Sequence, residues 1–395
     1  MNSLKNHNFQ KLYAITFLAG VSSTTFSFIL PIILYDYTKS ALAMSTMRLM
    51  DFLPNVLLGM FIGVLVDRLN RRNVLLYGQI IRTFVATILT IILTSTEFSL
   101  ASVYILGFLI SSVGYMLGSA MNAIMPQLFE RSQMTEIQTK FSLINTLVTV
   151  IGPGLLGMLL LWVSNALFLW IFVSCNALNA VITFFIDKTT TPARTKSSIW
   201  TDLKEGFSAL IGNKSLYIQT WTIFFSNFAS SLIIGVLTFY SLDTLQFSKE
   251  QLGFMLTLSA CGGIFGALMM KPLRSRFRRG QIYTTSMGFE AILMALMFFA
   301  STWWQLGLLL ATRTAITALT NIVFLALRQE TTPNHLLGRV AGTSSMIMKL
   351  ALPFGLLISG YWADHFTIAP IFLVSALILV FNVGLLLKVK FTESI

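Results

Sequence analysis

Long apolar runs, broken by short polar or Gly/Pro-containing stretches, fill the chain from about residue 11 to residue 387. Twelve of them read as helices, with limits near 11–35, 41–66, 74–95, 99–124, 139–162, 165–186, 216–241, 250–271, 282–301, 303–326, 339–361 and 367–387. Each is close to or above the ~20 residues that cross a ~30 Å hydrocarbon core. The predicted fold is therefore an all-α membrane protein of twelve transmembrane helices. An even number of crossings puts both termini on one side. Trp303 and Trp304, at a span boundary, read as interfacial anchors.

One long polar stretch divides this pattern. Residues 187–215 begin as a Thr/Pro/Ser linker and continue as WTDLKEGFSALI, a short amphipathic helix expected on the membrane surface. The expected organisation is a six-helix bundle over 1–186, a linker over 187–215 and a second six-helix bundle over 216–395. The halves echo each other. Pro153 is followed by Gly154-Leu155-Leu156, and Pro353 by Phe354-Gly355-Leu356-Leu357. Gly59-x-x-x-Gly63 and Gly262-x-x-x-Gly266 each precede a basic loop. Two related halves around a midplane site are the internal symmetry of a secondary transporter.

Composition strengthens this reading. Of 395 residues, 55% are hydrophobic and only 11% charged, with mean hydropathy +0.77. Soluble domains carry about 25% charged residues, so a soluble enzyme is excluded. The net charge of +12 could suggest nucleic acid binding, but the distribution of cations gives a simpler account. Twenty-one Lys and Arg fall on the face that includes both termini, the 187–215 segment and the basic loops; only Lys39 and Lys249 fall on the other. The positive-inside rule then places both termini in the cytoplasm, in a cell membrane, with no nucleic acid partner. Cys175 and Cys261 offer no disulfide framework, and His7, His335 and His365 are too dispersed for a metal site. The N-terminus lacks a small-residue cleavage site, so the first helix is expected to be retained.

The loop after the second span reads Gly63-Val-Leu-Val-Asp67-Arg68-Leu-Asn70-Arg71-Arg72. It closely resembles the signature loop of the major facilitator superfamily, Gly-x-x-x-Asp-Arg-x-Gly-Arg-Arg. Asn70 replaces a Gly, and Asn tolerates the left-handed turn expected there. The stretches Thr38-Lys-Ser-Ala-Leu-Ala, Phe52-Leu-Pro54, Leu337-Gly338-Arg339-Val340 and Pro353 to Asp364 look like the macrolide-efflux and siderophore-exporter branch. The resemblance implies a gating role for Gly63, Asp67, Arg71 and Arg72, with Asp67 pairing with Arg71 or with helix N-termini. Arg68 is expected to do little beyond setting topology. Gly152-Pro153-Gly154 in the fifth span partly resembles the Gly-Pro motif of antiporter-type exporters. A kink with close helix packing is the structural alternative there.

Six charges remain inside the predicted spans: Arg48, Asp51, Arg82, Glu290, Arg313 and Lys349. Each costs about 2.5–3.5 kcal/mol at bilayer depth, so they must face a wet cavity or each other. Asp51 lies roughly 16 Å from the nearer helix end, with Arg48 three residues away on the same face. Asp51 and Glu290 are the expected proton-coupling residues, with neighbouring Arg side chains setting their proton affinity. Fixed structural ion pairs are the alternative. Arg82, about two turns from a helix end, is expected to snorkel.

Arg48, Arg313 and Lys349, with Thr24, Thr25, Asn227 and Phe228, are the expected substrate-cavity residues. Four cations against two anions favour an anionic or zwitterionic substrate, such as a metallophore or siderophore, over a lipophilic cation. The leading expectation is a monomeric, proton-coupled exporter of small organic molecules, including macrolide-like drugs. It would be driven by the proton gradient and use no cofactor. The alternatives are an importer or lipid flippase on the same fold and, more remotely, a membrane-embedded enzyme.

Overall fold

The computed structural model of the chain describes residues 7–95, 99–130, 133–187, 199–333 and 336–388; within its helices, the side chains of 60, 64, 67, 135 and 199–203 lie outside the description. The described residues are helical, with no strand among them. In chain order the α-helices are α1 (His7–Thr38), α2 (Ala41–Arg68), α3 (Arg71–Thr94), α4 (Leu100–Leu128), α5 (Met134–Leu159) and α6 (Asn165–Phe184). Then come α7 (Ile199–Gly212), α8 (Lys214–Phe239), α9 (Lys249–Arg274), α10 (Arg279–Met297), α11 (Trp303–Thr331), α12 (Leu337–His365) and α13 (Pro370–Lys388). A single π-helical turn, Tyr240–Thr244, extends α8. Among the described residues, ten helices are long and apolar enough to cross a membrane by length and composition. The helices α2 and α10 carry Arg48, Asp51 and Glu290.

The chain forms two compact units: residues 1–38 with 47–196, and 39–46 with 197–395. In the first, α1 packs on α5 and α6, and α3 on α4 and α6. In the second, α8 packs on α12 and α13, and α10 on α11 and α13. These pairings are the same set shifted by seven helices, so the sequence echo has a counterpart in packing. The first core centres on Phe9, Leu12, Ile124 and Phe141, with Phe9 edge-on to Phe129 and Phe141. The second centres on Leu216, Tyr283, Val323 and Val340.

Helices in lipid gain little from burying apolar surface against each other, so close backbone approach must hold them. The glycines supply it. A Cβ added at Gly262 would lie 1.8 Å from the Ala311 carbonyl oxygen, and one at Gly266 2.2 Å from that of Ala315. This is how α9 and α11 pack. At Gly355, on α12, an added Cβ would lie 2.9 Å from the Phe228 carbonyl oxygen of α8. Hydroxyl side chains along the spans bond back to their own helices: Thr16 donates to the Leu12 carbonyl and Thr83 to that of Gln79. Such bonds satisfy polar groups that lipid could not.

One expectation needs correction. Asn70 is not in a left-handed turn: its φ is −66°, and its side chain caps α3 by accepting from the Asn73 N–H. An extended cap residue with a short polar side chain satisfies an orphan donor, which a Gly could not do. The amphipathic segment is helical, as α7, and packs one face on protein while Phe207 and Ile211 stay exposed. Gly206 sits against the Arg339 carbonyl of α12, Leu210 is fully buried, and Glu205 pairs with Arg339.

Replacing Gly262 with Val forces a branched side chain into the Ala311 backbone. The expected result is about 1–3 kcal/mol of destabilisation, read as a lower midpoint of thermal unfolding in detergent. Gly288→Val, where an added Cβ meets nothing within 4 Å, is the control expected to change little.

Candidate functional site

Each unit holds one acid–base group at depth. In the first, α2 carries Arg48 and Asp51 one turn apart, and their side chains approach to 4.0 Å. From α4, Ser111 Oγ donates to Asp51 Oδ1 at 2.9 Å. From α3, the charge of Arg82 also acts on Asp51. The side chains of Arg48 and Asp51 keep 23% and 20% of their surface exposed, so this pair is not sealed.

Arg82 does not snorkel. It is buried, its guanidinium stacks 5.6 Å from the centre of the Phe172 ring, and it lies against Gly114. A glycine on α4 and an aromatic face on α6 make room for a cation that would otherwise turn toward the headgroups.

In the second unit α10 supplies Glu290 and α11 supplies Arg313, with Nε and Oε1 3.2 Å apart. Thr317 and Ser226 also hydrogen-bond the carboxylate, and Arg313 bonds Ser230 on α8. Glu290 is 1% exposed. Behind it, Tyr283 and Thr222 share a 2.8 Å hydrogen bond, and Asn382 donates to the Thr222 carbonyl. Under the seven-helix shift, α2, α3 and α4 correspond to α9, α10 and α11. The two charge groups share only the α3/α10 and α4/α11 counterparts: the acid is on α2 in one unit and on α10, the counterpart of α3, in the other.

The remaining predicted residues are distributed unevenly. Thr24 on α1 lies against Gly152 of α5, where an added Cβ would be 2.7 Å from its methyl. Thr25 is buried. Pro153 continues α5 without ending it. Asn227 donates to the Met348 carbonyl at 2.9 Å, tying α8 to α12 beside the half-buried Lys349. Phe228, also half-buried, accepts from Ser231 through its carbonyl. None of these contacts brings Lys349 to the Glu290 group.

Of the signature loop, the Asp67 side chain lies outside the described residues. Gly63 has open space where a Cβ would stand, and Arg71 is half-exposed at the start of α3. Arg72 is committed to the end of α6, donating to the Phe184 and Ile186 carbonyls, while Lys11 takes that of Phe185. Cations on orphan carbonyls at a helix C-terminus are favourable. Among the described residues no cluster of His, Cys, Asp and Glu could hold a metal ion.

Sequence reasoning did not pick out Ser111, Ser226, Ser230, Thr317 or Asp364. Asp364, at the end of α12, accepts from Ser40 Oγ and Ala41 N at 2.8 Å each. Residues 39–46 belong to the same unit as Asp364. This carboxylate caps the first turn of α2.

The profile of the transmembrane secretion effector family (MFS_3) matches residues 1–394. The chain belongs to this family of major facilitator transporters. It is 24% identical to macrolide efflux protein A of Streptococcus pyogenes over 400 residues, covering 95% of this chain and 96% of that protein. Against macrolide efflux protein A of Enterococcus faecalis the identity is 26% over 331 residues, 80% of this chain and 99% of the relative.

In structure it matches a variant of the nucleoside transporter NupG with TM-score 0.81, at 14% identity over 97% of this chain and 99% of that one. A bacterial homologue of the iron transporter ferroportin, in an inward-facing state, gives TM-score 0.76 at 16% identity over 98% of both chains. At these identities the two structures share the fold. The family resemblance read from the signature loop is therefore correct, and the chain is a transporter, not an enzyme.

Removing the carboxylate at Glu290 leaves Arg313 buried beside no anion. Glu290→Ala is expected to cost about 3–5 kcal/mol and to lower the thermal midpoint in detergent. Arg313→Met in the same chain should recover a large part of that loss. Equal stability of Glu290→Ala and wild type would contradict the pairing.

Proposed function

We propose that this member of the family is a secondary active exporter, driven by protons, of large and mostly apolar organic molecules of the macrolide kind. It works by alternating access of two pseudo-symmetric six-helix bundles, twelve spans in all, with both termini in the cytoplasm of a cell and the protein acting as a monomer. Support for export comes from the two macrolide efflux relatives, aligned over most of their length.

Asp51 carries the proton-coupling part of the proposal. It is a carboxylate at membrane depth, held by Ser111 and Arg48, within the field of Arg82, and still one-fifth exposed. A group so placed can exchange a proton with water, and a shift of either Arg would change its affinity for that proton. Protonation of Asp51 would free Arg48, and return of Arg48 to Asp51 would favour release of the proton. Glu290, enclosed with Arg313, Thr317 and Ser226, suits a fixed ion pair better than a site that titrates in each cycle.

The pairing also alters the substrate argument. With Arg48 facing Asp51 and Arg313 facing Glu290, two of the four cations at depth are matched by acids. That weakens the charge argument for an anionic substrate, and a macrolide-like substrate fits the relatives better.

Purified protein in proteoliposomes, given an inward or outward pH gradient, tests this reading with a labelled macrolide. Transport should follow the gradient and stop when an ionophore collapses it. Asp51→Asn should lose at least tenfold of the gradient-driven rate while retaining downhill exchange. Uptake that ignores the gradient, or an Asp51→Asn variant with the wild-type rate, would overturn the proposal. A polycarboxylate tested alongside reads out the anionic alternative.

A further inference from the structure

The face of α3 that carries Arg82 also carries Gln79, one turn earlier and buried. Gly78, the residue before it, lies against Leu117 of α4, and Arg82 lies between Gly114 of α4 and Phe172 of α6. At about 100° per residue, Gln79 is therefore turned away from α4 and toward α6. On α6, Phe172, Asn176 and Asn179 follow at successive turns of one buried face. Asn176 reaches α1: its Nδ2 donates to Ser22 Oγ at 2.9 Å and to the Phe172 carbonyl at 2.7 Å. Both hydrogens of that amide are thus used, and its oxygen is left over. The heights also match. Arg72 bonds the Phe184 carbonyl near the end of α6 and Arg82 stacks on Phe172, so α3 and α6 run antiparallel. Gln79 then stands level with Asn176, and Asn179 follows one turn on.

Five polar atoms at this junction have no hydrogen-bond partner among the described residues: Gln79 Oε1, Arg82 Nε, Asn176 Oδ1 and both amide atoms of Asn179. Asn176 and Asn179 are fully buried. Buried polar groups are almost always satisfied, so these atoms call for a ligand. Their chemistry narrows what it is. Three carbonyl oxygens oppose an anion, and the Arg82 guanidinium opposes a cation. An apolar group would leave all five unmet. Water both donates and accepts, and a buried water typically bridges about three such atoms.

We propose that the α1/α3/α6 junction of the first unit binds ordered water, held by the amides of Gln79, Asn176 and Asn179 and accepting from Arg82 Nε. Arg82 then has two holds, this water and the charge of Asp51. When Asp51 takes up a proton the guanidinium loses its anion, and the water keeps the buried charge solvated. That role rests on Asp51 being the proton-coupling group, as proposed above. The water site itself does not.

Synchrotron radiolysis of the purified full-length protein tests the site, because hydroxyl radicals formed from bound water oxidise the side chains beside it. Oxidised positions are then mapped by mass spectrometry. Phe172 should be oxidised about fivefold or more faster than Phe168, which lies one turn away on the same helix and is as deeply buried. Asn179→Leu and Gln79→Leu should each lower the Phe172 rate about threefold or more, since each strips the water of a partner. The measurement needs neither substrate nor a pH gradient, so a wrong assignment of Asp51 would show in the transport assay and leave this pattern intact. Equal rates at Phe172 and Phe168 in the wild type, or a Phe172 rate unchanged in both variants, would overturn the proposal.

Discussion

The structure depends on one constraint: charged groups at membrane depth must find their partners within the protein. A carboxylate or guanidinium facing lipid is costly, and the two acids at depth lie on α2 and α10. Each is stabilised by the helices around it. Asp51 relies on Arg48 from its own helix, Ser111 from α4 and the charge of Arg82 on α3. Glu290 relies on Arg313, Thr317 and Ser226. In each unit these bonds fix the relative placement of three or more helices, so the polar network and the packing specify the same arrangement.

The two groups solve the same problem differently, and the difference gives the protein its directionality of roles. Glu290 and Arg313 are enclosed, with the hydroxyls of Thr317, Ser226 and Ser230 bonded to them. Burial of this kind fixes helix register and leaves little room for a proton to come and go. Asp51 and Arg48 are spaced at 4.0 Å and partly open. A looser, partly open pair is one whose balance a small helix movement can tip. In the proposed cycle this makes the first unit the place where protons are handled and the second a rigid counterpart.

Much of this was legible in the sequence, because membrane burial imposes severe rules on composition. Long apolar runs mark the helices, and a charge within such a run is conspicuous, so Arg48, Asp51, Glu290 and Arg313 stood out before any coordinates. The Arg48–Asp51 pair could be read from its spacing, since positions three apart share a helix face. The Glu290–Arg313 pair could not, because its members are on different helices and only the packing of α10 on α11 joins them. Ser111, Ser226, Ser230 and Thr317 were hidden for another reason: hydroxyl residues are frequent in spans, and most bond back to their own helix, as Thr16 and Thr83 do. Arg82 was misread because its depth suggested a reach toward the surface, whereas Gly114 and Phe172 provide a place for it inside. Asn70 was misread because a residue that can take a left-handed turn is also a good helix cap, and the start of α3 needed the cap.

Whether the open pair is the proton-handling one can be measured without transport. Adding a macrolide to the purified protein in weakly buffered detergent, with a pH-sensitive dye present, reports protons released on binding. The account predicts release from the wild type and from a Glu290→Gln variant that folds, and none from Asp51→Asn. Undiminished release from Asp51→Asn, or release that disappears with Glu290→Gln alone, would contradict it.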